Sequence, residues 1–234
     1  MKKTFFSFLV VLTLGLSGCI KPGDSIENYN SVPAIVELSW EILQYTLKTP
    51  YGAIYSAEIQ NATDLYEGDM LLTSFSVNYD QQTHENYTIA SNLQYVKLMT
   101  GYAESTEGGE STSNDFDLAI SNFGIYGRIG YYWFFGFDHK TATENDKFIY
   151  EMTYDNEQTD GTPVVKIRAK KDGEGSKYAV WVFNMSSFYW TYKDDNNVAK
   201  FNIQLKTGVD DDGNDIYEYC RDSYGIVTFE MKIE

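Results

Sequence analysis

Few residues in this chain have the type and spacing for catalysis. Two histidines occur in 234 residues. His84 lies in Gln81-Gln82-Thr83-His84-Glu85-Asn86 and His139 in Asp138-His139-Lys140, and both stretches read as polar turns in which an imidazole is a solvated loop residue. No G-x-S-x-G elbow and no H-E-x-x-H helix occurs in the mature chain. A glycosidase needs only two carboxylates, and 34 acidic residues cannot forbid them, but the separation that matters is spatial and not sequential. The run Asp210-Asp211-Asp212-Gly213-Asn214-Asp215 has the composition of a calcium loop. With Gly213 at the sixth position, however, Gly208 and Tyr219 fall where the first and twelfth ligands belong. A hairpin entered by Phe201–Leu205, turned by Asp212-Gly213 and left by Ile216–Tyr219 fits better. No catalytic residue, metal or cofactor is expected.

Non-covalent chemistry has more to work with, because aromatics make up 16% of the chain, with 20 Tyr, 14 Phe and 4 Trp. Rings can stack on the apolar faces of sugars without any charged group. Phe123 to Phe137 carries glycines at 124, 127, 130 and 136 among rings, which reads as strands with bulges and close backbone approaches in a core. In Phe188-Tyr189-Trp190-Thr191-Tyr192, Trp190 and Tyr192 share one face of an extended segment beside the polar turn at 193–197. They are the candidate ligand-binding pair.

One covalent modification is legible. Met1-Lys2-Lys3 opens a basic region, Phe5 to Leu16 is almost wholly apolar, and Leu16-Ser17-Gly18-Cys19 closes it. About 12 apolar residues are too few for the roughly 20 that span a bilayer. Small residues directly before cysteine resemble the bacterial lipobox, which implies that residues 1–18 are a signal peptide and that Cys19 carries a diacylglycerol and an amide-linked acyl chain. Two or more chains make such a tether effectively permanent. The residue after Cys19 is Ile20 and not Asp, which points to the outer membrane, with the face undecided between periplasm and medium. With Cys19 acylated, Cys220 has no partner for an intramolecular disulfide and is expected as a partly buried small hydrophobe.

These features need elements to position them, and alternation supplies strands almost throughout. Phe148, Tyr150, Met152 and Tyr154 alternate with Ile149, Glu151 and Thr153. Val165, Ile167 and Ala169 alternate with Lys166, Arg168 and Lys170, and similar patterns cover 201–206 and 228–233. Period two with one dry and one wet face marks antiparallel sheets packed on one side. Further strands are expected near 35–47, 51–59, 67–79 and 86–99. The organisation read from this is a lipid tether at 19–34, a small barrel or half-sandwich at 35–101, a linker or mobile loop at 102–114, and a β-sandwich at 115–234 with immunoglobulin-like turn spacing. The fold class is all-β. Net charge is −16, and loss of Lys2 and Lys3 with the leader takes it to −18, which argues against nucleic acid.

Leu65-Tyr66-Glu67-Gly68-Asp69-Met70-Leu71-Leu72-Thr73-Ser74-Phe75-Ser76-Val77-Asn78-Tyr79, followed by Asn86-Tyr87-Thr88-Ile89, resembles a passage of NigD-like lipoproteins of Bacteroidetes. The run from Lys200 to Asp210 is compatible with their second domain. The resemblance implies an N-terminal OB-like barrel followed by a β-sandwich and brings no catalytic residues. The expected role is a non-enzymatic, outer-membrane-anchored binding or envelope module whose partners are the membrane, through its lipid, and a glycan or envelope protein. The alternatives are a fimbrial subunit that exchanges its terminal strand, Ile226 to Ile233, and a glycan-degrading enzyme.

Overall fold

The computed structural model describes residues 25–139, 146–155, 157, 161–174 and 179–233. Cys19, the leader and the first part of the tether lie outside them. The strands are β1 (Ile26–Ser39), β2 (Gln44–Thr49), β3 (Gly52–Tyr55), β4 (Met70–Asn78), β5 (Thr88–Lys97), β6 (Met99–Ser105), β7 (Asn122–Ile129), β8 (Tyr132–Asp138), β9 (Asp146–Tyr154), β10 (Val164–Glu174), β11 (Ala179–Asn184), β12 (Val198–Val209), β13 (Asp215–Tyr219), β14 (Arg221–Asp222), β15 (Gly225–Ile226) and β16 (Thr228–Lys232). Two short helices join them, α1 (Ala57–Gln60) and α2 (Ser186–Tyr192).

The first five strands close into a barrel in the order β1-β2-β3-β5-β4, with α1 between β3 and β4. This order and helix position define the OB fold. Alternation explains the closure: Val32, Ala34 and Val36 of β1 and Leu71, Phe75 and Val77 of β4 point into one core with Leu47, Ile54, Ala90 and Leu93. Ser56 caps α1 by accepting from the Glu58 amide at 3.2 Å, and Ile59 enters the barrel core. The barrel begins nine residues earlier than the expected boundary at 35, because β1 pairs with β4 from Ile26↔Asn78 onward.

Of the remaining strands, β14 and β15 pair only with each other, and the others form one sheet in the order β13-β12-β10-β9-β6-β11-β8-β7, with β16 also on β12. It curls into a sandwich. Trp133 of β8 meets Phe201 of β12 at 5.3 Å between ring centroids, and Phe137 of β8 stacks on Tyr150 of β9 at 4.2 Å. Strand β6 makes the corner: Met99–Tyr102 pair with β11, and Ala103–Ser105 pair with β9, both in parallel. The stretch 102–114, expected as a linker or mobile loop, begins inside this strand. Its first residues are the strand shared by both halves, and only Leu98 separates β5 from β6.

The rest of that stretch crosses the outer face of β9, β10 and β12 as a strap, and this explains a second difference. Arg168 was expected on a wet face, yet it is fully buried. Its guanidinium donates to Thr153 Oγ1 at 2.6 Å, to the Gly109 carbonyl at 2.8 Å and to Tyr217 Oη, and it lies 3.5 Å from Glu151 Oε2. Glu151 accepts in turn from the Thr112 amide at 2.9 Å and Ser111 Oγ at 2.7 Å. Lys206 donates to the Phe116 carbonyl at 2.7 Å and pairs with Asp215 at 2.6 Å. Leu118 then bridges to Ala169.

The barrel packs on the sandwich through apolar side chains. Ile35 and Met70, on the outside of the barrel, cluster with Ile129, Phe134 and Val182. Gly127 makes the approach possible, since a Cβ there would sit 3.2 Å from the Pro33 ring at a φ of +153°. The glycine-aromatic stretch is thus a core hairpin, with Trp133, Phe134, Phe135 and Phe137 all buried.

His139 also departs from the expected solvated turn. It is buried, stacked on Phe148 at 4.3 Å, and placed with Nδ1 2.9 Å from the Ala119 carbonyl and Nε2 2.8 Å from Tyr150 Oη. The carbonyl can only accept, so the neutral ring carries its proton on Nδ1 and accepts from Tyr150. Burial holds its pKa below the usual histidine value. The unfolded chain therefore takes up this proton first, and stability present above about pH 6.5 is lost as pH falls toward the depressed native pKa. Urea unfolding between pH 7.5 and 5.5 is expected to show this decline, and His139→Asn to flatten it. An unchanged slope in the variant would assign the decline elsewhere.

Candidate functional site

The mouth of the barrel carries a cleft of about 230 Å³ lined by Tyr51, Gly52, Ala53, Tyr79, Gln82, His84, Glu85, Asn86, Tyr87 and Thr88. These residues come from the β2–β3 turn, the start of β3 and the β4–β5 loop. In OB folds the β2–β3 face and the β1–β2 and β4–β5 loops are where oligonucleotides and oligosaccharides bind. The loop is held from within: Gln82 donates to the Asn78 and Ile89 carbonyls at 2.8 and 3.1 Å and accepts from the Ile89 amide at 2.7 Å. Asn86 donates to both Glu41 oxygens at 2.9 Å, which ties the β1–β2 turn, with its exposed Trp40 and Leu43, to the cleft rim.

The rings converge only because the barrel closes. His84 stacks on Tyr87 at 4.3 Å, Tyr87 meets Tyr55 at 5.6 Å, and Tyr51 meets Tyr29 at 5.7 Å. The Tyr29 and Tyr79 hydroxyls lie 2.6 Å apart and 3.0 and 3.2 Å from Glu27 Oε2, so that one phenol donates to the other and the second donates to the carboxylate. Burial and these bonds push the Tyr29 hydroxyl well above the usual phenol range, and desolvation, followed by Tyr55 and Glu41, raises that of Tyr87. Both phenols stay neutral at physiological pH. Among the described residues no Lys or Arg lines the cleft, whereas Glu85 does. The surface suits an uncharged, hydroxyl-rich ligand with apolar ring faces and repels phosphate.

The expected pair is placed differently. Trp190 and Tyr192 lie on α2, where 100° per residue puts positions two apart on opposite sides, so they do not share a face. Trp190 is 63% exposed, with the Lys193 ammonium 5.2 Å from its ring centroid. Tyr192 turns inward, packs 4.9 Å from Phe188 and donates to the Asp155 carbonyl. Met185, Phe188, Tyr189 and Tyr192 follow helical spacing, and this was the signal for the helix. Tyr51, Tyr79, His84 and Tyr87 had no such signal, being scattered among loops.

The other candidates are settled locally. Asp210 accepts from the Asp212 and Asn214 amides at 3.0 and 2.7 Å and from Asn214 Nδ2 at 3.0 Å, and these bonds, led by Asn214, hold its carboxyl below the usual range. The segment is the expected β12–β13 hairpin, with Gly213 at φ +85°. Among the described residues no group of three His, Cys, Asp or Glu side chains is placed to hold a metal. Cys220 sits in the sandwich core, where burial pushes its thiol up to about 12. Within the segment proposed for strand exchange, β16 pairs with β12 of its own chain from Val198↔Lys232 to Asn202↔Thr228, and Met231 is fully buried.

The fold and its cleft define a two-part all-β protein, an OB-type barrel joined without a linker to a β-sandwich. No family model and no curated protein matches the chain. Solved structures do: an uncharacterised protein from Parabacteroides merdae superposes with a TM-score of 0.68 at 18% identity over 87% of this chain and 98% of that one. A protein of unknown function from Bacteroides vulgatus gives 0.50 at 12% identity, covering 86% and 96%. The chain is also similar to a NigD-like immunity protein from Bacteroides caccae, with a TM-score of 0.47 at 14% identity over 89% and 98%. That protein bears the family name that the Leu65–Ile89 passage resembles. Likeness at these identities speaks to the fold alone.

Proposed function

We propose that this protein is a non-enzymatic binding module, anchored in the outer membrane by lipid on Cys19, whose barrel cleft takes a neutral glycan. The observation that carries the reading is the cleft itself: Tyr51, Tyr79 and Tyr87 with His84, Glu85 and Asn86, and no cation among them. Of the two ligand types that OB barrels take at this place, oligonucleotides demand positive charge and oligosaccharides do not. Rings supply stacking faces, while the carboxylate, imidazole and amide supply partners for hydroxyls. Trp190 is a second exposed ring, on the sandwich.

Screening the lipid-free protein on a glycan array and measuring the best saccharide by calorimetry tests this. Tyr51→Ala with Tyr87→Ala is expected to weaken binding at least tenfold, and Trp190→Ala to leave it within twofold. Affinity lost through Trp190→Ala and retained in the double variant would move the site to α2. A blank array would remove the glycan reading.

A further inference from the structure

The start of the barrel bears on where the ligand resides. Strand β1 begins at Ile26, and the Ser25 carbonyl accepts from the Tyr79 amide at 2.8 Å. Tyr79 lines the cleft. The chain therefore leaves the folded body at the cleft wall. Between the lipid-bearing position Cys19 and Ser25 there are six residue steps, and fully extended they reach at most about 21 Å. A folded unit of this length has a radius of gyration of about 17 Å, so its width is about twice the reach of the leash. A body leashed so closely at one point keeps that point by the bilayer. The acidic groups around the mouth, Glu27, Asp80 and Glu85, keep it from settling on anionic headgroups.

We infer that the cleft is held at the membrane surface and that its ligand is a glycan borne by a lipid of that membrane, not a free polymer. The inference rests on the glycan reading of the cleft and on acylation of Cys19, and it adds the source of the glycan. A ligand confined to the same surface meets the cleft at high effective concentration, whereas a long free polymer must enter the narrow gap between barrel and headgroups.

The test uses full-length lipidated protein in phosphatidylcholine vesicles, with mass spectrometry of the mature N-terminus confirming the acyl chains. The best array saccharide is offered free, as a long soluble polymer, and coupled to phosphatidylethanolamine in the same vesicles. The expected result is tight binding of the coupled form and at least tenfold poorer capture of the polymer by anchored than by lipid-free protein. Inserting about 20 Gly/Ser residues between Lys21 and Pro22 should restore polymer capture. Equal capture by anchored and lipid-free protein would overturn the inference while leaving the glycan reading intact. Orientation is read independently of any sugar by adding a lipid with a gadolinium-chelating headgroup. Resonances of Tyr79 and His84 should broaden with the native tether and recover with the long one, and broadening insensitive to tether length would also overturn the inference. An unmodified Cys19 in the mature protein would remove the anchor and the inference with it.

Discussion

Replacing Arg168 by alanine is expected to destabilise the protein by about 3–5 kcal/mol, measured by urea unfolding at pH 7. The side chain is fully buried, and its guanidinium joins Glu151, Thr153 and Tyr217 on the sheet to the Gly109 carbonyl on the strap. Truncation leaves Glu151 buried among Ser111 and Thr112 without its cation, and the penalty of that orphaned carboxylate is most of the expected loss. Lysine should rescue little, since a point charge cannot reproduce three separately aimed donors. The double variant Arg168→Met with Glu151→Leu removes both charges and should recover part of the loss. The strap should also become the first site of limited proteolysis in Arg168→Ala, with cleavage between 106 and 116. Retained resistance there would show that the strap is held by Lys206 and Phe116 and not by the arginine.

Phe134→Ala is the second large effect, about 3–5 kcal/mol on the scale of buried phenylalanine truncations. Its character should differ from that of Phe135→Ala. Neighbouring residues of β8 point to opposite faces, so Phe135 enters the sandwich core while Phe134 enters the cluster with Ile35, Met70, Ile129 and Val182. Removing Phe134 therefore loosens the junction between barrel and sandwich, and the two should cease to unfold together. The shift of tryptophan fluorescence on unfolding comes from the buried Trp133 and Trp181 of the sandwich, since Trp40 and Trp190 are already exposed, and it should then report a different midpoint from far-ultraviolet circular dichroism, which sees both units. Coincident transitions in Phe134→Ala would show that the junction is not what couples them. Phe135→Ala should lower stability as one transition.

The sequence carried most of the strands, because β9, β10, β12 and β16 are half-buried and their period of two survives in the residues. It misjudged places where a second layer arrives from elsewhere in the chain. Arg168 looked wet because nothing local says that residues 106–118 cross over it. His139 looked solvated for the same reason, its partners being the Ala119 carbonyl and Tyr150 Oη. Helix α2 was missed although Met185, Phe188, Tyr189 and Tyr192 spell its buried face, since a short aromatic run suits a strand equally well. The cleft was the least legible feature. Tyr51, Tyr79 and Tyr87 belong to separate turns, and only pairing of β3 with β5 and of β1 with β4 brings them to one mouth.

Strand β6 has a consequence for the order of assembly. Its partners lie far downstream, Met152–Tyr154 on one side and Trp181–Asn184 on the other, and parallel pairing across such separations is slow. All five barrel strands are complete by Lys97, so the barrel can close while the sandwich is still arriving, with Ile35 and Met70 left to be covered later. Closure then projects Met99–Ser105 from the finished barrel as a fixed template, with both edges open, onto which the two halves of the sandwich are laid. Until residue 184 has emerged, that bare strand is the most exposed pairing surface on the chain, and the interval is when the protein is most open to mispairing with another chain.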